Sequence, residues 1–201
     1  MIRLYTADAP NGRKASIALE ELALRYEVEK LDLAAGDQQK PEFLRKNPNN
    51  KIPVLEDDGL VVWESGAILL YLGEKYDRDG RILPQDPRAR IAAVQYAFFQ
   101  AGGIGPNLGR LGQALREKRA EMIPIFQAEV VRLLGVLDTI LADGRDYLAG
   151  PYSIGDIMHY PWLKLALDLK FPDLVKLERV VAWLERIGAR PAVERGMAVP
   201  R

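Results

Sequence analysis

Hydrophobic residues recur along this chain in two rhythms, and the rhythm changes once. Up to about residue 76, short β-rich runs alternate with helical ones; beyond the mid-eighties the spacing is helical throughout. Ile2 to Tyr5 predicts a first strand, and Asn11 stands as the N-cap of a helix whose Ala15, Ala18, Leu19 and Leu22 share one face. Tyr26 to Leu31 predicts a second strand, parallel to the first because a helix joins them. Pro41 to Lys46 makes a short helix. Pro53 then opens a strand carried by Val54 and Leu55, Asp57-Asp-Gly59 supplies turn chemistry, and Leu60 to Trp63 returns. Ser65 is placed as the N-cap of the helix that carries Ile68, Leu69, Tyr71 and Leu72.

Asp77 to Asp86 is polar and broken by Gly80 and Pro84, as an interdomain linker would be. A long helix follows from about Pro87 to Leu115, bent where Gly102, Gly103, Gly105 and Pro106 cluster. Phe126, Val130, Leu133, Leu134, Leu137 and Leu141 define the core face of the next, with Arg132 on another side. Ser153-Ile-Gly-Asp156 has the form of a capping box, which makes Asp156 a folding device. Leu177, Val180, Val181, Leu184 and Ile187 mark a last strong helix, ended by Gly188. The expected division is 1–76, a linker at 77–86, and an all-helical part at 87–201.

Composition narrows the chemistry. Of 201 residues 48% are hydrophobic, enough for a proper core, and Lys+Arg and Asp+Glu both number 28. No global field draws the chain to nucleic acid or anionic lipid, and no apolar stretch approaches the length of a membrane span. A soluble, cytoplasmic protein is expected. With no cysteine and one histidine, thiolate metal sites and a cysteine nucleophile are ruled out, and no metal is expected. His159, among Ile157, Met158, Tyr160 and Trp162, reads as a core histidine.

The candidate binding residues lie around the predicted hairpin. A proline at the start of a strand has no N–H for the ladder, and in the cis form it turns the preceding residue's backbone outward. Ile52 then presents its N–H and C=O to an extended peptide, as an added strand is held. Ser65 at a helix N-terminus seats a carboxylate, and Glu64 beside it accepts from an ammonium. A peptide with an α-amino acid head fits both.

Lys51-Ile-Pro-Val-Leu followed by Glu64-Ser-Gly-Ala-Ile-Leu-Leu-Tyr-Leu72 resembles the glutathione transferase family. The resemblance implies an α/β thioredoxin-like N-terminal domain, ordered β-α-β-α-β-β-α, and an all-α C-terminal domain. It also implies glutathione as co-substrate, held along Ile52 and Pro53, with its γ-glutamyl head on Glu64 and Ser65. Pro-Asn-Gly-Arg-Lys14 and Asn49-Asn-Lys-Ile-Pro53 look most like the bacterial Nu-class, disulfide-bond-reductase-like branch. There a threonine and an asparagine line the sulfur site, and a helical-domain arginine reaches toward the ligand. By that likeness Asn11 is retained and Arg132 is a candidate ligand contact, while the threonine, aligned before the proline, has become Ala9, so Asn11 and Thr6 are the candidate catalytic donors; Gln38 and Lys51 are candidate partners for the glycyl carboxylate. Gln38, Lys51 and Arg132 also read as solvated surface side chains. These proteins are usually homodimers.

Activation is the chemical requirement. A free thiol titrating near about 8.5 is mostly protonated at neutral pH. Lowering it by about two units takes roughly 2.7 kcal/mol of preferential stabilisation of the anion. The loop Ala7 to Gly12 occupies the place of the donors, but Ala9 stands where serine-type relatives have a hydroxyl. Tyr5 is either a hydroxyl at the site or a core residue of the first strand. Phe98, Phe99, Leu108 and Leu111 either line a hydrophobic pocket or fill the core.

The expected activity is therefore attack of bound glutathione thiolate on an electrophile, a peroxide or a disulfide. The alternatives are glutathione-dependent disulfide reduction without notable conjugation, and a non-catalytic binding or scaffold module.

Overall fold

The computed structural model describes residues 1–200, which divide into two compact units, Met1–Leu83 with the stretch from Ala189 onward, and Pro84–Gly188. In the first unit a four-stranded sheet has the order β2-β1-β3-β4. The strands are β1 (Ile2–Thr6), β2 (Tyr26–Lys30), β3 (Val54–Asp57) and β4 (Leu60–Trp63). The helices are α1 (Pro10–Glu21), α2 (Pro41–Leu44), α3 (Ser65–Tyr76) and α9 (Pro191–Met197). β1 pairs parallel with β2 and antiparallel with β3, giving the thioredoxin-like mixed sheet expected from the α1 crossover.

The hairpin follows from its turn residues. Asp58 and Gly59 both have positive φ (49° and 88°), the mirror-image turn whose twist matches that of the strands. Asp57, 2% exposed, then anchors α3 to the hairpin. Its Oδ2 accepts from Tyr71 at 2.7 Å, Lys75 at 2.8 Å and Tyr76 at 2.5 Å. Burial alone raises this carboxyl, but the three donors outweigh it and hold it at about 2, below its ordinary 3.8. A depressed pKa contributes stability that is complete above about 4 and is lost as pH falls toward 2. Acid titration of wild type should therefore show a loss of stability in that window, and Asp57→Asn should flatten it; parallel curves for the two proteins would refute the tie.

Helix starts differ from expectation in two places. α1 begins at Pro10, whose fixed φ and missing N–H suit the first helical position, so Ala9 is the N-cap and Asn11 lies inside the first turn. α3 begins at Ser65 itself; Glu64 is the N-cap, with φ 72° and ψ 118°. No side chain caps either helix.

α9 packs along α1, so it belongs with the sheet unit, although the sequence pattern placed it in 87–201. Ser16 Oγ donates to the Gly196 carbonyl at 2.7 Å, and the Arg190 guanidinium forks onto Glu21 at 2.7 and 2.9 Å. Of the expected linker, residues 77–83 pack in the same unit: Asp77 accepts from the N–H groups of Arg81, Ile82 and Leu83, and Ile82 is fully buried.

The second unit is helical: α4 (Pro87–Phe99), α5 (Gly105–Arg116), α6 (Ile123–Ile140), α7 (Ile154–Asp168) and α8 (Glu178–Gly188). The expected bend after α4 is a π-helical segment, Gln100–Ile104, that carries two of the clustered glycines. Ser153 and Asp156 form the capping box of α7. His159 is wholly buried; its Nδ1–H donates to the Gly155 carbonyl at 2.7 Å, and its ring lies between Phe99 and Trp183. Among the described residues no helix is long and apolar enough to cross a membrane, and no His, Cys, Asp or Glu cluster is arranged to hold a metal.

Candidate active site

The sheet register brings the candidate residues of the first unit to one end. Val54 pairs with Trp63 and with Tyr5. Continuing both registers by one step sets Pro53 against Glu64 on one side and Thr6 on the other. Loop 7–9 and the start of α1 follow directly from β1, so α1's first turn stands at the same end, at the C-terminus of a parallel strand.

Ile52–Pro53 is a cis peptide, and pairing of β3 begins only at Val54, so Ile52 lies ahead of the ladder. The loop before it is shaped by Asn47, 1% exposed, which sequence reasoning passed over. Its Nδ2 donates to the Lys51 carbonyl at 2.7 Å, and its Oδ1 accepts from the Asn49 N–H at 3.0 Å. The signal was present as the Asn47-Pro48 turn dipeptide. Glu64 is exposed and Ser65 is buried at the mouth of α3, whose first N–H groups have no side-chain cap. That mouth favours an anion, while the adjacent carboxylate favours a cation.

Asn11 is half-buried in the first turn of α1, beside the uncapped helix start. Thr6 is a different matter. It is fully buried beneath Gly12, where a Cβ would sit 2.1 Å from Thr6 Oγ1. Its hydroxyl turns toward the Ala7 carbonyl at 3.4 Å. The absence of a side chain at Gly12 lets α1 close over Thr6, so its hydroxyl is covered, unlike the half-buried Asn11. Tyr5 resolves as core: it packs edge-on to Phe43, clusters with Leu31 and Val54, and donates to Glu56 at 3.0 Å. Lys46 also binds Glu56, at 2.6 Å, and holds that carboxyl below its usual value, with Tyr5 adding to the effect.

Gln38 is half-buried, and its amide donates to the Leu33 carbonyl at 3.3 Å. The Lys51 side chain is exposed. In the helical unit Arg132 is forked onto Glu129 of its own helix at 2.7 Å for both contacts, the bonding of a surface ion pair. Phe98 is 68% exposed whereas Leu111 is buried, so the four apolar residues around the bend do not share one surface.

With that geometry in place, comparison with known proteins is informative. Residues 2–74 match the family model for the glutathione S-transferase N-terminal domain and residues 89–191 the one for its C-terminal domain. The chain is 42% identical to the disulfide-bond oxidoreductase YfcG of Escherichia coli over 208 residues, covering 98% of this chain and 94% of that protein. It is 38% identical to glutathione S-transferase 2 of Schizosaccharomyces pombe, covering 95% and 92%. Among solved structures it is similar to a glutathione transferase of Pseudomonas putida with one glutathione disulfide bound per subunit (39% identity, 100% and 92% covered, TM-score 0.89).

Proposed function

Since the chain belongs to the glutathione S-transferase family along both of its units, we propose that it is an enzyme that binds glutathione at the C-terminal end of β1 and uses the bound thiolate as nucleophile. The observation that carries this is the convergence of Glu64, Ser65 and the uncapped mouth of α3 with the cis Ile52–Pro53 step across the hairpin. The peptide lies along Ile52 and Pro53, its α-ammonium on Glu64 and its α-carboxylate on Ser65 and the first N–H groups of α3. Lys51 and Gln38 flank the glycyl end. The sulfur points to the first turn of α1, where Asn11 supplies a side-chain donor and the helix dipole favours the anion.

The thiolate then attacks an electrophilic carbon, expelling the leaving group, or attacks a disulfide sulfur. In the second case the S–S bond breaks, the far sulfur leaves as thiolate, and a second glutathione resolves the mixed disulfide to glutathione disulfide. Disulfide reduction is the second reading with specific support, because the protein has no cysteine of its own to carry electrons and the Escherichia coli relative is named an oxidoreductase. A cytoplasmic setting, which keeps glutathione reduced, fits both.

Turnover of an aromatic halide measured against 2-hydroxyethyl disulfide separates these, and failure with both supports the non-catalytic alternative. Asn11→Ala is expected to lower kcat about tenfold while leaving glutathione affinity within about twofold, because its donor acts on the anion that reacts. Equal losses in affinity and turnover would place Asn11 in binding. A homodimer belongs to the same proposal, supported by large apolar side chains left open within each unit, Leu60 and Trp63 on β4 and Ile91 and Phe98 on α4. Sedimentation equilibrium reads it directly.

A further inference from the structure

Lys14 takes no part in the scheme above, yet its side chain lies in the second turn of α1 and is only 2% exposed, a rare condition for a lysine. α1 packs on α3, and the carboxylate acting on the Lys14 amine is that of Glu64, at α3's mouth. The other charges on elements around α1 are engaged elsewhere or face solvent. On α1 itself Arg13 is held by Asp8 at 2.5 Å. Arg190 and Arg195, from the α9 side, are held by Glu21 and Glu20 at the far end of α1. Lys75 of α3 is held by Asp57, Arg3 of β1 by Glu27, and Glu74 and Glu194 are exposed. Glu64 is thus an exposed carboxylate that acts on the buried amine of Lys14.

We propose that Lys14 is a positioning residue of the head-group site: its buried ammonium balances Glu64 while the site is empty and gives up its proton to solvent when a ligand ammonium takes its place. This rests on Glu64 being the head-group seat. Two cations facing one carboxylate repel, and the one without access to water is the one that neutralises. The net charge of the site is then unchanged by binding: carboxylate with Lys14 ammonium before, carboxylate with ligand ammonium and a neutral amine after. Burial has already brought the Lys14 amine down to about 7, against the pull of Glu64 in the other direction, so the added repulsion acts on a proton that is weakly held at neutral pH.

The linkage has a definite sign. A group whose pKa falls on binding releases a proton, and affinity rises with pH through the free-state value. S-methylglutathione is the suitable probe, because its blocked sulfur cannot contribute a proton of its own. Calorimetric titration near pH 7 in two buffers of different ionisation heat should show net proton release by wild type, and affinity should rise about fivefold between pH 6 and 7.5. Lys14→Met, of similar length and without charge, should bind at pH 6 about as tightly as wild type at pH 7.5, with the pH dependence gone. Lys14→Arg, charged throughout, should keep the weaker affinity across the range. Binding without proton release, or an unchanged slope in Lys14→Met, overturns the role of Lys14 alone, and the proton count on wild type decides even if the variants fail to fold. Absence of S-methylglutathione binding at every pH overturns the head-group seat and this inference with it.

Discussion

Asp156→Ala is expected to destabilise the helical unit by about 3–5 kcal/mol, read as a lowered denaturant midpoint with unchanged slope. The wild-type carboxylate is fully buried. One oxygen accepts from the Leu148 N–H at 3.0 Å and the Trp183 indole at 2.9 Å, the other from the Ser153 N–H at 2.9 Å and its hydroxyl at 3.1 Å. It therefore ties the loop before α7, the start of α7 and the face of α8 to one point. Burial pushes this carboxyl up, the same donors pull it back, and the balance leaves it at about 6, so the site is costly and retained for the order it imposes. Truncation leaves three buried N–H groups without acceptors, each worth about 1–3 kcal/mol, offset in part by relief of the buried charge. Asp156→Asn keeps one acceptor oxygen and should lose roughly half as much. A loss below about 1 kcal/mol in Asp156→Ala would show that the helices hold each other without this tie.

How far such features can be read before folding depends on whether they are local. The hairpin was legible because Asp58 and Gly59 carry their turn preference in their own backbone, and the Ser153–Asp156 box because both ends lie within one helical turn. The proline that opens β3 and the helix that begins beside Glu64 were legible for the same reason, as neighbours in short motifs. The starts of α1 and α3 shifted by a residue or two because Pro10 and the left-handed Glu64 outrank an ordinary cap. What escaped is what only packing decides. Thr6 looks like a free hydroxyl until Gly12 lets a helix lie over it. Lys14 looks like a solvated lysine until α3 closes beside it, and α9 looks like part of the helical array until Ser16 and Glu21 bind it. Asn47 carries a visible turn signal, but its importance comes from the Lys51 carbonyl, which it reaches only once the loop has folded.

Glu64→Ala is expected to weaken glutathione binding by about 2–3 kcal/mol, some thirty- to one-hundred-and-fifty-fold in Kd, and Ser65→Ala by about 1–2 kcal/mol. The difference follows from placement. Glu64 is exposed and supplies the anionic partner for the ligand's ammonium, a charge-assisted bond at the lip of a site. Ser65 shares its anion with the backbone N–H groups of α3, which remain when the hydroxyl is gone. Backbone geometry separates the two causes further, since Glu64 sits at φ 72°. Glu64→Gln preserves side-chain shape and hydrogen bonding there without the charge, so it should reproduce most of the affinity loss if charge is responsible. Calorimetry on the three variants at fixed pH checks the order Glu64→Ala, Glu64→Gln, Ser65→Ala, from weakest binder to strongest. Wild-type affinity in both Glu64 variants would move the head group away from α3 and with it the orientation of the whole tripeptide.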